Sequence, residues 1–389
     1  MSVRILNWSN RRALAPIAEA IRSFTERYPG ADVAQVERPL SDFEHQGIEG
    51  VAAQYDIVIF DHPFCGRIAA SGCFEPLEAP LADLLGDDRA NLYIGPSLAT
   101  YRYREHVWGA PIDGATQNAA YRPDLLERIG GRVPESHADV LQLGRLARGS
   151  GLWLGTALQT PHAFMSILSY MANIGQPVRA DDDALLEIPE ASFARAYQAM
   201  DELIRLCPPE AHGWNSIDLH EQMIARDDIV YTPAVYGYAT YGEADMRRRL
   251  GFAPFAGLDA PYHAGSTIGG TALGLSASAS DRDMALAFIR HALELGIVHR
   301  RIGHHHGQAA ARAEWDDPEI DRIFNGFQSG SYSSMETAWT RPRYPGYPEF
   351  QRKAGEAMAS CLSAGADAAK AHGMLCDIAG FGVRAGAAR

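Results

Sequence analysis

Apolar positions near the start of the chain switch between two periods. Residues 3–8 read as a short strand, and residues 14–28 then carry helical spacing through Ile17, Ile21 and Phe24 up to the stop signal Pro29-Gly30. Residues 31–36 and 55–60 return to strand character. Asp56-Ile57-Val58-Ile59-Phe60 has the continuous apolar run of a buried parallel strand and is followed at once by Asp61, His62 and Pro63. Alternating strand and helix signals of this kind predict a parallel sheet covered by helices on both faces. In such sheets ligands collect at the carboxyl ends of the strands, which puts Asp61 and His62 among the first candidates for a site.

After a charged, turn-rich segment at 83–91, "REHVWGAPIDGATQNAAYRPDLLERIG" predicts an extended pair leading into a helix at Pro123. The middle is more helical, with 3.6-residue spacing over 136–148, 162–174, 192–206 and 219–225. "DDIVYTPAVYGY" and "RRRLGFAPF" read as strands, and a Gly/Ser/Thr-rich stretch at 264–276 leads into another. Helices are predicted at 281–295 and over 347–378. There is no internal repeat and no low-complexity linker. The 389 residues exceed what one core usually supports, so two lobes joined through short crossing strands are expected.

Composition narrows the function classes. Hydrophobic residues make up 47% of the chain and charged ones 21%, which is a globular balance. A formal net charge of -13 without any long basic block argues against a nucleic-acid or anionic-membrane partner. No apolar run is long enough to span a bilayer, so no membrane insertion is expected. Five cysteines, an odd number without CxxC spacing, argue against a disulfide framework. The sequence opens without a secretory leader. The localisation expected is therefore periplasmic or extracellular if a leader was removed, and cytoplasmic otherwise.

Four stretches together carry a resemblance. "YDIVIFDHPFCGRIAASGCFEPL" has the form of a strand, ligand loop and helix. "VWGAPIDGATQNAAYRPDLLERIGGRVPES" has the form of a first crossing, "AGSTIGGTALGLSASASDRDMALAFIRHAL" of the return crossing, and "WTRPRYPGYPEFQRKAGEAM" of a C-terminal segment before the last helices. In this order the chain resembles extracellular solute-binding protein family 1, the maltose-binding-protein-like receptors of ABC importers. The resemblance implies an α/β periplasmic-binding-protein-like fold: two α/β lobes with a hinge and a central ligand cleft. The lobes would be 1–112 plus 264–312, and 113–263 plus 313–389. It also implies non-catalytic capture of a small polar organic ligand, sugar-like by family default, through hinge closure. The partners implied are that ligand and, if the protein is exported, a permease; the protein is expected to be a monomer without a cofactor.

Candidate contacts follow from strand ends and crossings. Asp61 and His62 either touch the ligand or serve as a helix cap and a solvated loop residue. Trp8, Ser9 and Asn10 end the first strand, where Ser9 and Asn10 read equally as N-cap residues or as ligand contacts. Asp113, Thr116 and Gln117 lie at the first crossing, and ligand contact is expected of Asp113 and Gln117. Seven aromatics fall near suspected loops: Trp8, Trp108, Trp214, Tyr236, Tyr238, Trp315 and Trp339. Tyr236 and Tyr238 alternate along one strand and so share a face, which with Trp214 makes them the preferred stacking platforms. Ser266 opens "STIGGT", whose glycines free backbone N–H groups but match no phosphate-loop spacing. Arg341 and Arg343 could pair with a carboxylate or pack on backbone carbonyls.

His304, His305 and His306 invite a metal reading, although adjacent residues rarely direct three rings at one ion; a solvated or ligand-facing turn is the alternative. They motivate a second hypothesis, a cytoplasmic enzyme or sensor on the same fold, possibly metal-dependent. No nucleophile elbow and no nucleophile paired with a base supports catalysis.

Overall fold

The computed structural model describes residues 2–39, 47–180, 186–259, 262 and 264–386. The strands that position the site are β1 (Ser2–Trp8), β2 (Asp32–Arg38), β3 (Ile57–Phe60), β4 (Ala110–Tyr121), β5 (Trp153–Leu154), β6 (Ile229–Tyr236), β7 (Gly251–Ala253) and β8 (Ile268–Ser276). The main helices are α1 (Arg11–Arg27), α2 (Cys65–Ser71), α3 (Pro123–Arg128), α4 (His137–Gly149), α5 (His162–Asn173), α6 (Glu190–Ile204), α7 (Ser216–Ala225), α8 (Arg282–Ile297), α9 (Phe327–Glu336), α10 (Tyr347–Ser363) and α11 (Ala368–Gly386). The chain divides into two compact units. The first comprises Met1–Ala115, Gly269–Ile320 and Arg343–Pro348; the second comprises Thr116–Ile268, Asp321–Pro342 and Glu349–Arg389. The chain passes from one unit to the other within β4 and again within β8.

In the first unit β1 lies parallel to β2, from Ser2 opposite Asp32 to Trp8 opposite Arg38, and parallel to β3, with Ile5 opposite Ile57. The return strand β8 runs antiparallel to β3, pairing Ala272 with Phe60. An antiparallel strand therefore joins the parallel set that the sequence predicts. Phe60, Phe64, Ile68, Phe74 and Tyr101 form the centre of one apolar core on this sheet. Asp56 precedes β3 instead of belonging to its core. Its carboxylate accepts from the Arg4 N–H at 2.7 Å, the Ser280 N–H at 2.6 Å and the Ser280 hydroxyl at 2.8 Å. The segment Arg343–Pro348, expected in the second lobe, belongs to the first unit. The reason is local: Arg343 donates to the carbonyls of Ala99, Thr100 and Arg102 at 2.7–2.9 Å. A Cβ on Gly66 would meet the Arg343 carbonyl oxygen at 1.9 Å, so only glycine lets α2 approach this segment.

In the second unit β4 pairs antiparallel with β6, Tyr121 opposite Tyr231 and Gln117 opposite Tyr236, and also with β7; β5 runs parallel to β6. Helix α5 is buried on every side. Its polar residues must therefore find partners inside the protein, which decides the shape of the site below. The C-terminal helical tail is two helices, because Gly365 at φ 64° ends α10 in the left-handed conformation. All five cysteines are free.

Candidate functional site

In the first unit the turn after β1 is a cap. The Asn10 side chain accepts from the Arg12 N–H at 3.0 Å and closes the N-terminus of α1. Trp8 is buried beneath this turn, and exposed Ser9 donates to Glu37 at 3.2 Å. Helix α1 then sends Arg12 inward. Its Nε and Nη2 hold the two oxygens of Asp113 at 2.7 and 2.5 Å, a buried bidentate ion pair. Burial pushes the Asp113 carboxyl above the usual carboxylate range even beside the guanidinium. Asp113 thus spends both oxygens on Arg12, which accounts for its polarity at the crossing without a ligand.

The end of β3 combines the two readings made of it. Asp61 caps the 3-10 turn His62–Phe64 by accepting from the His62 N–H at 2.8 Å, and its Oδ1 lies 2.9 Å from His62 Nδ1. Asp61 remains partly exposed. His62 is fully buried, set edge-on to Tyr101 at 6.2 Å between centroids, and is not the solvated loop residue of the alternative reading.

In the second unit a buried polar network grows from α5. Gln117 donates to the Ser166 hydroxyl at 3.1 Å and accepts from the Ser169 hydroxyl at 2.6 Å. Ser169 lies 2.9 Å from the Thr267 hydroxyl, which in turn lies 3.1 Å from the Tyr236 hydroxyl. Ser266 donates to the Gln117 carbonyl at 2.6 Å and also meets the Thr116 hydroxyl. Gln117, Tyr236 and Ser266 therefore converge as three predicted residues, with Thr116, Ser166, Ser169 and Thr267 between them. The hydrogen bonds traced here join only uncharged side chains. Half-exposed Trp339 borders this network, because its N–H donates to the Ser266 carbonyl at 2.7 Å.

The structure separates Tyr238 from Tyr236. Strand β6 ends at Tyr236, although the Gly237 N–H still donates to the Thr116 carbonyl at 3.2 Å. Tyr238 turns to an aromatic cluster, 5.8 Å from the His220 ring and 6.3 Å from Tyr241, so the shared strand face expected of the two tyrosines is absent. Trp214 is buried, with the Arg226 guanidinium 5.9 Å from its ring centre. Its carbonyl accepts from the Leu158 and Gln159 N–H groups, and Gln159 accepts from the N–H of His162 at 2.7 Å. This ladder fixes His162 at the start of α5, T-shaped to Tyr236 at 6.4 Å. His162 Nδ1 lies 3.2 Å from the Ser216 hydroxyl, and burial lowers its pKa to about 4.

His162, Ser166 and Ser169 escaped the sequence reading. The signal was present as polar residues at i, i+4 and i+7 of a helix whose other residues are mostly apolar, which places them on one face.

Trp108 and Trp315 are core residues whose indole N–H groups donate to the Tyr103 and Ala309 carbonyls. Arg343 takes its backbone-carbonyl alternative, whereas Arg341 is buried and donates to Gln351 at 2.8 Å. The histidine run forms the turn Gly303–His305, with His306 at φ 65°. Its rings diverge: His305 lies 3.6 Å from Glu19 and His306 lies 3.1 Å from Arg11. Among the described residues no group of three or more His, Cys, Asp or Glu side chains could hold a metal ion. Among the same residues no helix is long and apolar enough to cross a membrane.

No protein-family model matches the chain, and no curated protein matches it. Solved structures do. The GacH receptor of Streptomyces glaucescens is similar with a TM-score of 0.79 at 18% identity, over 98% of both chains. Maltose-bound T. maritima MalE3 gives 0.78 at 16% identity, over 98% of this chain and 99% of that one. An ABC transporter solute-binding protein from Agrobacterium radiobacter K84, in complex with ribitol, gives 0.77 at 16% identity, over 99% and 98%. At these identities the likeness establishes the fold: the chain has the two-lobed α/β architecture of maltose-binding-protein-like ABC solute-binding proteins.

Proposed function

We propose that this chain is the solute-binding receptor of an ABC importer, capturing a small, uncharged, polyhydroxylated molecule by hinge closure and releasing it unchanged. The observation that carries the reading is the end-to-end fold match. At least 98% of this chain is covered by each of the three receptors compared. The chemistry of the second unit supports it. Gln117, Ser166, Ser169, Thr267 and Tyr236 form a run of amide and hydroxyl groups without a formal charge. A buried carboxylate or ammonium on a ligand would require an opposite charge beside it; hydroxyl groups require only donors and acceptors.

The solutes named for similar structures, maltose, ribitol, D-mannitol and D-tagatose, define a starting panel. In this reading Tyr236 supplies a stacking surface and a hydroxyl to the solute. The receptor works outside the cytoplasmic membrane with a permease as its partner. Titration calorimetry against maltose, ribitol, D-mannitol and D-tagatose tests the proposal. At least one is expected to bind with one site per chain and to be recovered chemically intact. Turnover of a bound solute, or binding only of charged solutes from a matched panel, would refute it.

A further inference from the structure

We infer that the first unit carries a second ligand site, a cavity beside the C-terminal end of α8 that takes a small organic zwitterion of the amino-acid type. The inference is independent of the receptor reading, because none of the residues that line this cavity is a candidate solute contact. The cavity has a volume of about 350 Å³, within the range of small-molecule pockets. Arg300, Arg312 and Asp316 supply its charges, and Leu92, Ile297 and Ala313 supply its apolar lining. Its walls are tied together within the protein. Tyr93 pairs with Ala311, and the Ile94 N–H donates to the Ala310 carbonyl at 3.0 Å. These bonds join the segment after Leu92 to the segment before the short helix Arg312–Trp315. The Arg301 N–H donates to the Leu295 carbonyl at 2.9 Å and closes the end of α8.

Arg300 is the residue that points to binding. It stands at φ 53°, the left-handed position after a helix that usually falls to glycine. Contacts within the protein do little to offset that strain. Among the described residues its guanidinium makes no hydrogen bond, and its ionic neighbour Asp317 is 3.8 Å away. The last turn of α8 carries no basic residue, so the helix dipole could be met from there without strain. A strained backbone that holds an exposed charge at the rim of a cavity is the pattern of a ligand clamp. The lining then selects the ligand, because it carries both signs. A plain anion would face Asp316 and a plain cation would face two guanidiniums. A zwitterion places its carboxylate on Arg300 and Arg312 and its ammonium on Asp316. Guanidiniums have several donors and carboxylates several acceptor sites, so these groups can hold a ligand while keeping bonds within the protein. Leu92, Ile297 and Ala313 cover the carbon body.

Titration calorimetry with L-serine, L-proline and L-leucine on wild type, Arg300→Gly and Arg300→Gln tests the site. At least one of the three is expected to bind wild type. Its amide, and the acid lacking its amino group, are each expected to bind about ten-fold more weakly. Arg300→Gly relieves the left-handed strain, so its melting temperature is expected to rise while its affinity for that amino acid falls about ten-fold. Arg300→Gln keeps a side chain in the turn and removes the charge; it is expected to lose the same affinity without the rise. Wild type that binds none of the three would overturn the site. So would wild-type affinity in either variant, which is also how binding at the solute site would show itself. Equal affinity for the amino acid and its amide would overturn the zwitterion. Failure of the sugar and polyol panel leaves this result untouched, and failure here leaves the receptor reading intact.

Discussion

Glu314 shows how a single buried acid can set the pH response of a region. Its carboxyl is 1% exposed and accepts from the N–H groups of Ile302 and Gly303 at 2.8 and 2.6 Å, which anchors the turn carrying the three histidines. Desolvation outweighs those two donors and raises the carboxyl from 4.5 to about 8. Between these values the folded chain keeps a proton that the unfolded chain has lost. The Glu314 contribution is therefore fully present below about pH 4.5 and is lost as pH rises through about 8. Melting temperatures measured from pH 5 to 9 are expected to fall more steeply for wild type than for Glu314→Gln, which cannot ionise. Parallel slopes would contradict the assignment. Residues of this kind were illegible in the sequence, because burial depends on contacts made at long range. His62 is another example: its cover includes Tyr101, far along the chain, so the residues around position 62 offered only a ligand contact or a solvated loop. Asp61 and Asn10 were legible as caps because a cap is a local bond to the next turn. Gln117 was singled out for its polarity, but the partners that absorb it come from α5, and nothing at 113–117 announces them.

At the scale of elements, periodicity located the helices and strands well and their ends less well. The opening strand–helix–strand unit, α5 and α8 are where the spacing put them. The overrun at Tyr238 has a specific cause. A Cβ at Gly237 would stand 2.1 Å from the Asn118 side-chain oxygen, so glycine is required for the close packing that ends β6. Apolar alternation continues through that point, and the pattern alone does not register where the strand ends. Glycine also governs the return strand. Gly270 in β8 has φ 98°, and a Cβ there would lie 2.3 Å from the Asp113 carbonyl oxygen. Gly270→Ala is expected to destabilise the protein by about 3 kcal/mol through backbone strain and overlap. Urea denaturation should show a lower midpoint at unchanged slope, and a midpoint equal to wild type would refute the packing argument. The glycine-rich character of 264–276 was visible from the start; which glycine carries the strain was not, since that depends on the neighbouring strand β4.

For the whole molecule, the order of weak motifs along the chain was more informative than any one of them. No single stretch specifies the architecture, and the three solved structures compared share only 16–18% of residues across 98–99% of this chain. What persists at that distance is the fold, the spatial order of strands, crossings and helices. The solute is less legible because its contacts are side chains chosen position by position. Under the proposed receptor role, the uncharged network around Gln117 and Tyr236 favours an uncharged, hydroxylated solute. The central claim is that the chain captures such a solute by moving between an open and a closed form, in which only the closed form makes the full set of contacts. Small-angle X-ray scattering with and without saturating solute tests it most directly. The account predicts a smaller radius of gyration when solute is bound, reversed on its removal. A scattering profile unchanged by a solute that calorimetry shows to be bound would contradict it.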